Sequence, residues 1–359
     1  MFQFTHPDPG LMMPAAAVLA AFAAQPGAQP GMHETHPGFA NLPPAAFAAA
    51  PLASPYPVDF QRTALAIGYS NEEYIADMVL PRLPALSRKE YRYTEYPIGE
   101  HYTVPNTHIG RRSVPAMVHL SASEATRSIE DFGLDDAIPF DDVNNTPSTT
   151  VAPLDRSSMT LTDLLMIARE KRVADLAFDA NRYGAANKTT LSGTSQWSHA
   201  DGTPLRDIVE AKTSMIVKPT DLAMGEEVFG KLQVHPTVLK ATHANDGDSG
   251  IASKRAIEQV LDLRVHVGSA RINSARPGQD ARLTRLWGKH ALLYRSDPNV
   301  DYKGPPSLGF TAPYLGKQTM TGFDPRIGAR GTFVVRVVDS CDEVLVAPMA
   351  GFFFKNAVA

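Results

Sequence analysis

Residues 159–183 read MTLTDLLMIAREKRVADLAFDANRY, the longest uninterrupted helical pattern in the chain. Leu161, Leu164, Leu165, Ala168, Val173, Leu176, Ala177 and Ala180 recur at helical spacing, and Asp163, Arg169, Glu170, Lys171, Asp175 and Asp179 fill much of the remaining surface. That is the pattern of a helix with one buried stripe and a solvated remainder. Thr160 and Asp163 have the spacing of a capping box, and Gly184 is the residue type that ends helices in a left-handed conformation, so the helix is expected over 160–183. At a rise of about 1.5 Å per residue it would run roughly 35 Å, long enough to be a spine across which other elements lie.

With 43% hydrophobic and 20% charged residues, the 359-residue chain has the composition of a folded protein with room for two or three domains. Its net charge of −4 argues against a surface that grips nucleic acid throughout, because phosphate binding needs concentrated Lys and Arg. Cys341 is the single cysteine, which rules out an intrachain disulfide and a cysteine-cluster metal site and fits a reducing compartment. The apolar run 15–24 is too short to span a bilayer and lacks a basic flank, the first cation being Arg62. Neither an export signal nor a membrane segment is expected.

Residues 1–60 hold 11 of the 29 prolines and 15 alanines, with only Asp8, Glu34 and Asp59 charged. Such a segment builds no core of its own and is expected to lie as an arm on another surface, that of a neighbouring copy. A short helix follows, with Ser70 as N-cap and Tyr74, Ile75, Met78 and Val79 as its apolar set, ended by Pro81 and Pro84. Tyr91 and Tyr93 alternate with polar residues, as do Val114, Ala116, Val118 and Leu120, which predicts two strands. Between them, residues 97–113 are polar and turn-rich with a basic pair, Arg111 and Arg112. Together they describe a long β-ribbon, marginal in water unless it packs on something else. Asp131, Asp135, Asp136, Asp141 and Asp142 crowd the next stretch; without an Asp-x-Asp-x-Asp-Gly loop they read as a solvated acidic loop rather than a calcium site.

Beyond the spine, a loop around Trp197 leads to a helix opened by Thr203 and Pro204. Residues 218–330 read as an α/β segment: strands at 222–224, 263–267 and near the end of RLWGKHALLY (285–294), and helices at 226–242, broken near Pro236, and 254–260. Its excess of Arg264, Arg271, Arg276, Arg282, Arg285 and Lys289 is assigned to subunit contacts, no nucleic-acid motif accompanying it. Thr332–Val338 and Val344–Ala347, separated by a turn at 339–342, predict a hairpin, and Phe352–Phe354 a last strand filling the core.

No catalytic, cofactor-binding or metal-binding residue is assigned. Gly247-Asp248-Ser249-Gly250 echoes the nucleophile string of chymotrypsin-like proteases, but Ile251 replaces the next glycine and no partner motif lies upstream, so a hydrolase using Ser249 is the minor alternative. His33 and His36 lack companion ligands, and His235 and His266 read as packed or surface residues.

In their order, the arm, NEEYIADMVLPRLP (71–84), the ribbon, the spine, QWSHADGTPLRDI (196–208), RLWGKHALLY and the closing strands resemble the major capsid proteins of tailed bacteriophages with the HK97-type fold. The resemblance implies an α+β fold with an N-terminal arm (1–70), a short helix and connector (71–87) and an extended loop (88–130). It further implies a peripheral domain (131–216 and 331–359) built on the spine helix 160–183, and an axial domain (217–330). It implies hexamers and pentamers of a single chain closing into an icosahedral shell around double-stranded DNA, in the virion and assembled in the bacterial cytoplasm. Separate scaffolding and portal proteins, a decoration protein in some members, non-specific contact with packaged DNA, and no cofactor or membrane go with that reading. An encapsulin-like compartment shell is the alternative within the fold.

Overall fold

The structure, a computed structural model, describes residues 56–95, 104–115, 117, 123–147, 151–243, 250–276, 278–297 and 306–359. The proline-rich stretch up to residue 55, with His33 and His36, lies outside the described residues, as do Gly247, Asp248 and Ser249. Helices α1 (Phe60–Gly68) and α2 (Ala76–Val79) lead into strands β1 (Glu90–Glu95), β2 (Ser123–Ser128) and β3 (Glu130–Pro139), then α3 (Phe140–Asn144) and the spine helix α4 (Pro153–Ala177). After it come β4 (Lys188–Thr190), α5 (Pro204–Ser214), β5 (Asp221–Gly225), α6 (Glu226–Gln233), α7 (Pro236–His243) and α8 (Lys254–Leu261). The chain closes with β6 (Arg264–Gly268), β7 (Arg271–Asn273), β8 (Leu283–Arg285), β9 (Ala291–Tyr294), β10 (Gly309–Asp324), β11 (Thr332–Leu345) and β12 (Gly351–Lys355).

The spine is helical as expected, but it spans 153–177 rather than 160–183. Pro153 at its first position, where a missing N–H costs nothing, and Asp155 in the first turn start it about two turns earlier than the Thr160–Asp163 pattern indicated. Thr160 is therefore no cap; its hydroxyl donates to the Arg156 carbonyl four residues back. The helix stops at Ala177, whose carbonyl accepts from the buried Tyr183 hydroxyl at 2.7 Å, so Gly184 is not needed as a left-handed cap.

One helix serves two sheets. Its first half, through Leu161 and Leu165, packs on Ile138, Val335 and Val337 of a three-stranded antiparallel sheet ordered β10-β11-β3. Its second half, through Val173, Ala174 and Ala177, packs on Ala223, Leu292, Tyr294 and Phe353 of a five-stranded mixed sheet ordered β4-β12-β9-β5-β6. The strands of that second sheet alternate in the way a two-sided core demands. Leu222, Met224, Ala291, Leu293, Phe352 and Phe354 point to the opposite face, into a core closed by residues of α5 to α8 such as Ile208, Val228, Leu239 and Ile257. Trp287 stands over Gly268 so closely that a Cβ there would fall 2.0 Å from the indole ring, which makes glycine obligatory at that position.

Several expectations are corrected. The acidic stretch is no loop: Glu130–Pro139 is a strand paired with β11 along its length. Its carboxylates are matched to that neighbour and to the spine, Asp135 to Arg336 at 2.6 Å and Asp136 to the Ser157 hydroxyl at 2.6 Å. The turn expected at 339–342 is the middle of the single strand Thr332–Leu345, because Asp339 and Asp342, turn formers in isolation, are buried against arginines. The hairpin is instead formed by β10 with β11, and β10 carries a bulge at Leu315 and Gly316, both at positive φ (55° and 73°). Residues 309–324, expected in the axial part, thus pair next to the spine, while β12, expected with the spine, lies between β4 and β9 in the five-stranded sheet. Of the strand expected through Val114, Ala116, Val118 and Leu120, Val114 is in no strand and the other three lie outside the described residues; the strand paired with β1 is 123–128, from Glu90↔Ser128 to Glu95↔Ser123. Its register is set at the base, where Tyr91, Tyr93 and Ile129 pack with Phe310. The short helix is only Ala76–Val79, and Ser70 does not cap it; the buried Glu170 accepts from the amides of Ile75 (2.7 Å) and Ala76 (2.8 Å) instead.

Candidate assembly surfaces

Where the apolar stripe of the spine passes from one sheet to the other, two charged residues replace it. Glu170 is fully buried and accepts from Ile75, Ala76 and the Trp287 indole N–H, the last at 2.7 Å. Burial pushes its carboxyl above the ordinary 4.5, against the pull of those three donors. Arg169, also buried, reaches Asp77 at 2.7 Å and the Thr311 hydroxyl at 3.1 Å. Around this pair, Arg82 clamps Asp339 through Nη1 and Nη2 (3.1 and 2.7 Å), and Arg172 clamps Glu343 through Nε and Nη2 (3.2 and 2.8 Å). Burial works to raise the Asp339 carboxyl, but Arg82 outweighs it and holds the group below the ordinary 3.8. Charge alone puts Arg169 and Glu170 on the solvated side of the spine; yet Arg169 is four residues from both Leu165 and Val173, a spacing that puts it on the stripe.

The ribbon leaves the body at the edge of this network. Asp342 accepts two bonds from Arg127 (2.7 and 2.9 Å) and one from the Tyr91 hydroxyl (2.8 Å), and Lys89 pairs with Asp131. Among the described residues farther out, Val104, Val114 and Met117 are 90%, 88% and 80% exposed. Large apolar groups at the end of a thin projection gain nothing for the fold and present surface to a partner. Arg111 and Arg112 sit at the apex of a turn closed by the Ser113 amide on the Gly110 carbonyl at 3.0 Å.

Residues with chemical potential are occupied structurally. His235 Nε2 lies 3.0 Å from the His199 carbonyl, and His266 Nε2 lies 2.7 Å from Asp221, which also pairs with Arg264. Burial would raise Asp221, but His266, Thr220 and Arg264 together keep it below 3.8. Burial pushes the Cys341 thiol up to about 12, the opposite of a reactive cysteine. Of the basic excess, Arg285 pairs with Glu226, whereas Arg271, Arg276 and Arg282 are exposed. Among the described residues no group of three or more His, Cys, Asp and Glu side chains has the placement to hold a metal ion, and no helix is long and apolar enough to cross a membrane.

No family model matches the chain. It is 40% identical over 307 residues to the major capsid protein of Pseudomonas phage JBD67, covering 85% of this chain and 99% of that one. It is 25% identical over 323 residues to the major capsid protein of Burkholderia phage BcepMu, covering 83% and 96%. Among solved structures, a phage-related protein from Bordetella bronchiseptica RB50 superposes with a TM-score of 0.67 at 20% identity, over 85% of this chain and 99% of that one. The capsid of a native GTA particle superposes with a TM-score of 0.51 at 8% identity, over 88% and 97%. With the spine helix shared by two sheets and a ribbon anchored on the three-stranded one, the α+β architecture is the HK97-type fold, and the chain belongs to the major capsid proteins of phages.

Proposed function

We propose that the chain assembles with copies of itself, as hexamers and pentamers, into an icosahedral head shell around double-stranded DNA, and that it turns over no substrate. Assembly would take place in the bacterial cytoplasm with separate scaffolding and portal proteins, and the packaged DNA would be touched without sequence preference. In this reading the part of segment 1–70 that precedes α1 supplies an arm between copies while α1 stays on its own spine, 71–87 form the connector and 88–130 the extended loop. The spine with the three-stranded sheet forms the peripheral domain, and the five-stranded sheet with its helices forms the axial domain.

The observation that carries the proposal is the ribbon: firmly anchored at its base by Asp342, apolar and uncovered at its tip. A lone subunit has no use for such a projection, whereas a lattice of subunits does. Negative-stain electron microscopy of the purified chain should show closed shells, and particles from infected cells should protect double-stranded DNA from nuclease. Particles that carry protein cargo and no DNA would replace this reading with a compartment shell. Esterase and peptidase assays on the wild type and Ser249→Ala should show equal, background turnover; activity lost in the variant would make the chain an enzyme.

A further inference from the structure

Helix α1 turns an apolar face to solvent. Phe60, Ala64 and Ile67, spaced as one helical stripe, are all exposed, Phe60 at 83% and Ile67 at 63%, while Ala66 on the other side is buried. The helix lies alongside the spine, Arg62 pairing with Asp155 at 2.8 Å and the Tyr69 hydroxyl donating to Asp163 at 3.4 Å. Leu164, which follows Asp163 on the spine, is itself exposed. The border there is negative and uncompensated. Asp163 accepts from Tyr69, Asn71 and Tyr74, all neutral donors, and among the described residues it makes no ion pair. Glu72 and Glu73, both exposed, likewise make none among the described residues.

The ribbon tip is the converse surface. In Ile109-Gly110-Arg111-Arg112-Ser113-Val114 the two arginines stand at the apex of a hydrogen-bonded turn, exposed and without an ion pair among the described residues, between exposed Ile109 and Val114. An apolar face bordered by free carboxylates and an apolar tip bearing free guanidinium groups are complementary in both respects. We infer that the ribbon tip of one copy docks on the α1 face of another copy, with Arg111 and Arg112 against Glu72, Glu73 and Asp163 and with Ile109 and Val114 against Ile67 and Leu164. The apolar contact supplies buried area, and the charges fix register and speed encounter. The inference rests on the proposed role of the ribbon in assembly and names the surface that receives it.

The test is a charge exchange in the full-length chain. Arg111→Glu with Arg112→Glu, and separately Glu72→Arg with Glu73→Arg, should each lower shell yield by at least about tenfold, like charges now facing each other, with the subunit's melting temperature unchanged. The four substitutions together should restore yield to within about threefold of wild type, because opposite charges again face each other across the contact. A reversed tip that assembles at wild-type yield, or a fourfold variant no better than either pair alone, overturns the inference. A ribbon shortened between residues 97 and 113 serves as the control. If shortening abolishes shells while charge reversal does not, the ribbon's role stands and this receptor falls; if the shortened chain assembles normally, both fall.

Discussion

The five-stranded sheet and the β-ribbon obey opposite rules. In the sheet, every residue of β5 and β9 is buried and consecutive side chains feed two separate cores, so neither face is left for a partner. In the ribbon, the base is held by Tyr91, Tyr93 and the bonds to Asp342, and the described residues of the far end present Val104, Val114 and Met117 to water. The information for folding is concentrated in the first region and the information for association in the second. Mutations should therefore separate the two properties.

The largest effect is expected at Phe353, which is fully buried, stacked on Tyr183 and packed against the spine. Phe353→Ala should cost about 3–5 kcal/mol, measured by denaturant unfolding, and most of the protein should be lost to the insoluble fraction. An intact, soluble Phe353→Ala subunit would break the comparison at its folded end.

Next is Glu170, where removing the carboxylate strands two amides and an indole N–H. Glu170→Ala should cost about 3 kcal/mol, and Glu170→Gln, which keeps an acceptor, distinctly less. Acidity adds a sign test. The raised Glu170 carboxyl binds a proton more readily in the folded state, so its share of stability declines as pH rises from 4.5 through its folded value and stays low above. Asp339 and Asp221 act the other way: their stabilisation is present above 3.8 and is lost as pH falls through their depressed folded values. Melting temperature followed from pH 7 downward should show a steep loss below 3.8 that Asp339→Asn makes shallower. Glu170→Gln should remove the opposing slope above 4.5.

Arg127→Ala, at the ribbon's base, should cost only about 1 kcal/mol, since the guanidinium is partly exposed, while lowering shell yield more than its melting shift accounts for. Replacing 97–113 by a short Asn-Gly turn should leave circular dichroism and melting within experimental scatter and abolish shells. If that deletion instead destabilises the subunit, the ribbon belongs to the fold and the contrast with the sheet disappears.

What could be read from the chain follows from how local each signal was. Continuous apolar runs such as Ala291–Tyr294 and Gly351–Lys355, and the Pro204 start of α5, were legible because their cause lies within a few residues. β10 was not, because Pro313 and the bulge at Leu315 and Gly316 interrupt its alternation and its partner supplies the missing order. β3 looked like a loop because its aspartates are compensated by residues some 20 to 200 positions away, among them Ser157 and Arg336. The same distance hid the junction around Glu170, whose donors come from Ile75, Ala76 and Trp287. The assembly surfaces were visible only as an excess of turn and polar residues at 97–113; exposure of α1's apolar face had no sequence signal distinct from that of an ordinary amphipathic helix.

The shared spine has a consequence for how the subunit opens. Since Leu161 and Leu165 cover one sheet while Val173, Ala174 and Ala177 cover the other, neither sheet can shed its cover without pulling on the helix that seals its neighbour. Amide protons on both sheets should therefore exchange in a single slow step whose rate responds equally to Val337→Ala and to Leu292→Ala. Protons at 104–115 of the ribbon should exchange far sooner and ignore both substitutions.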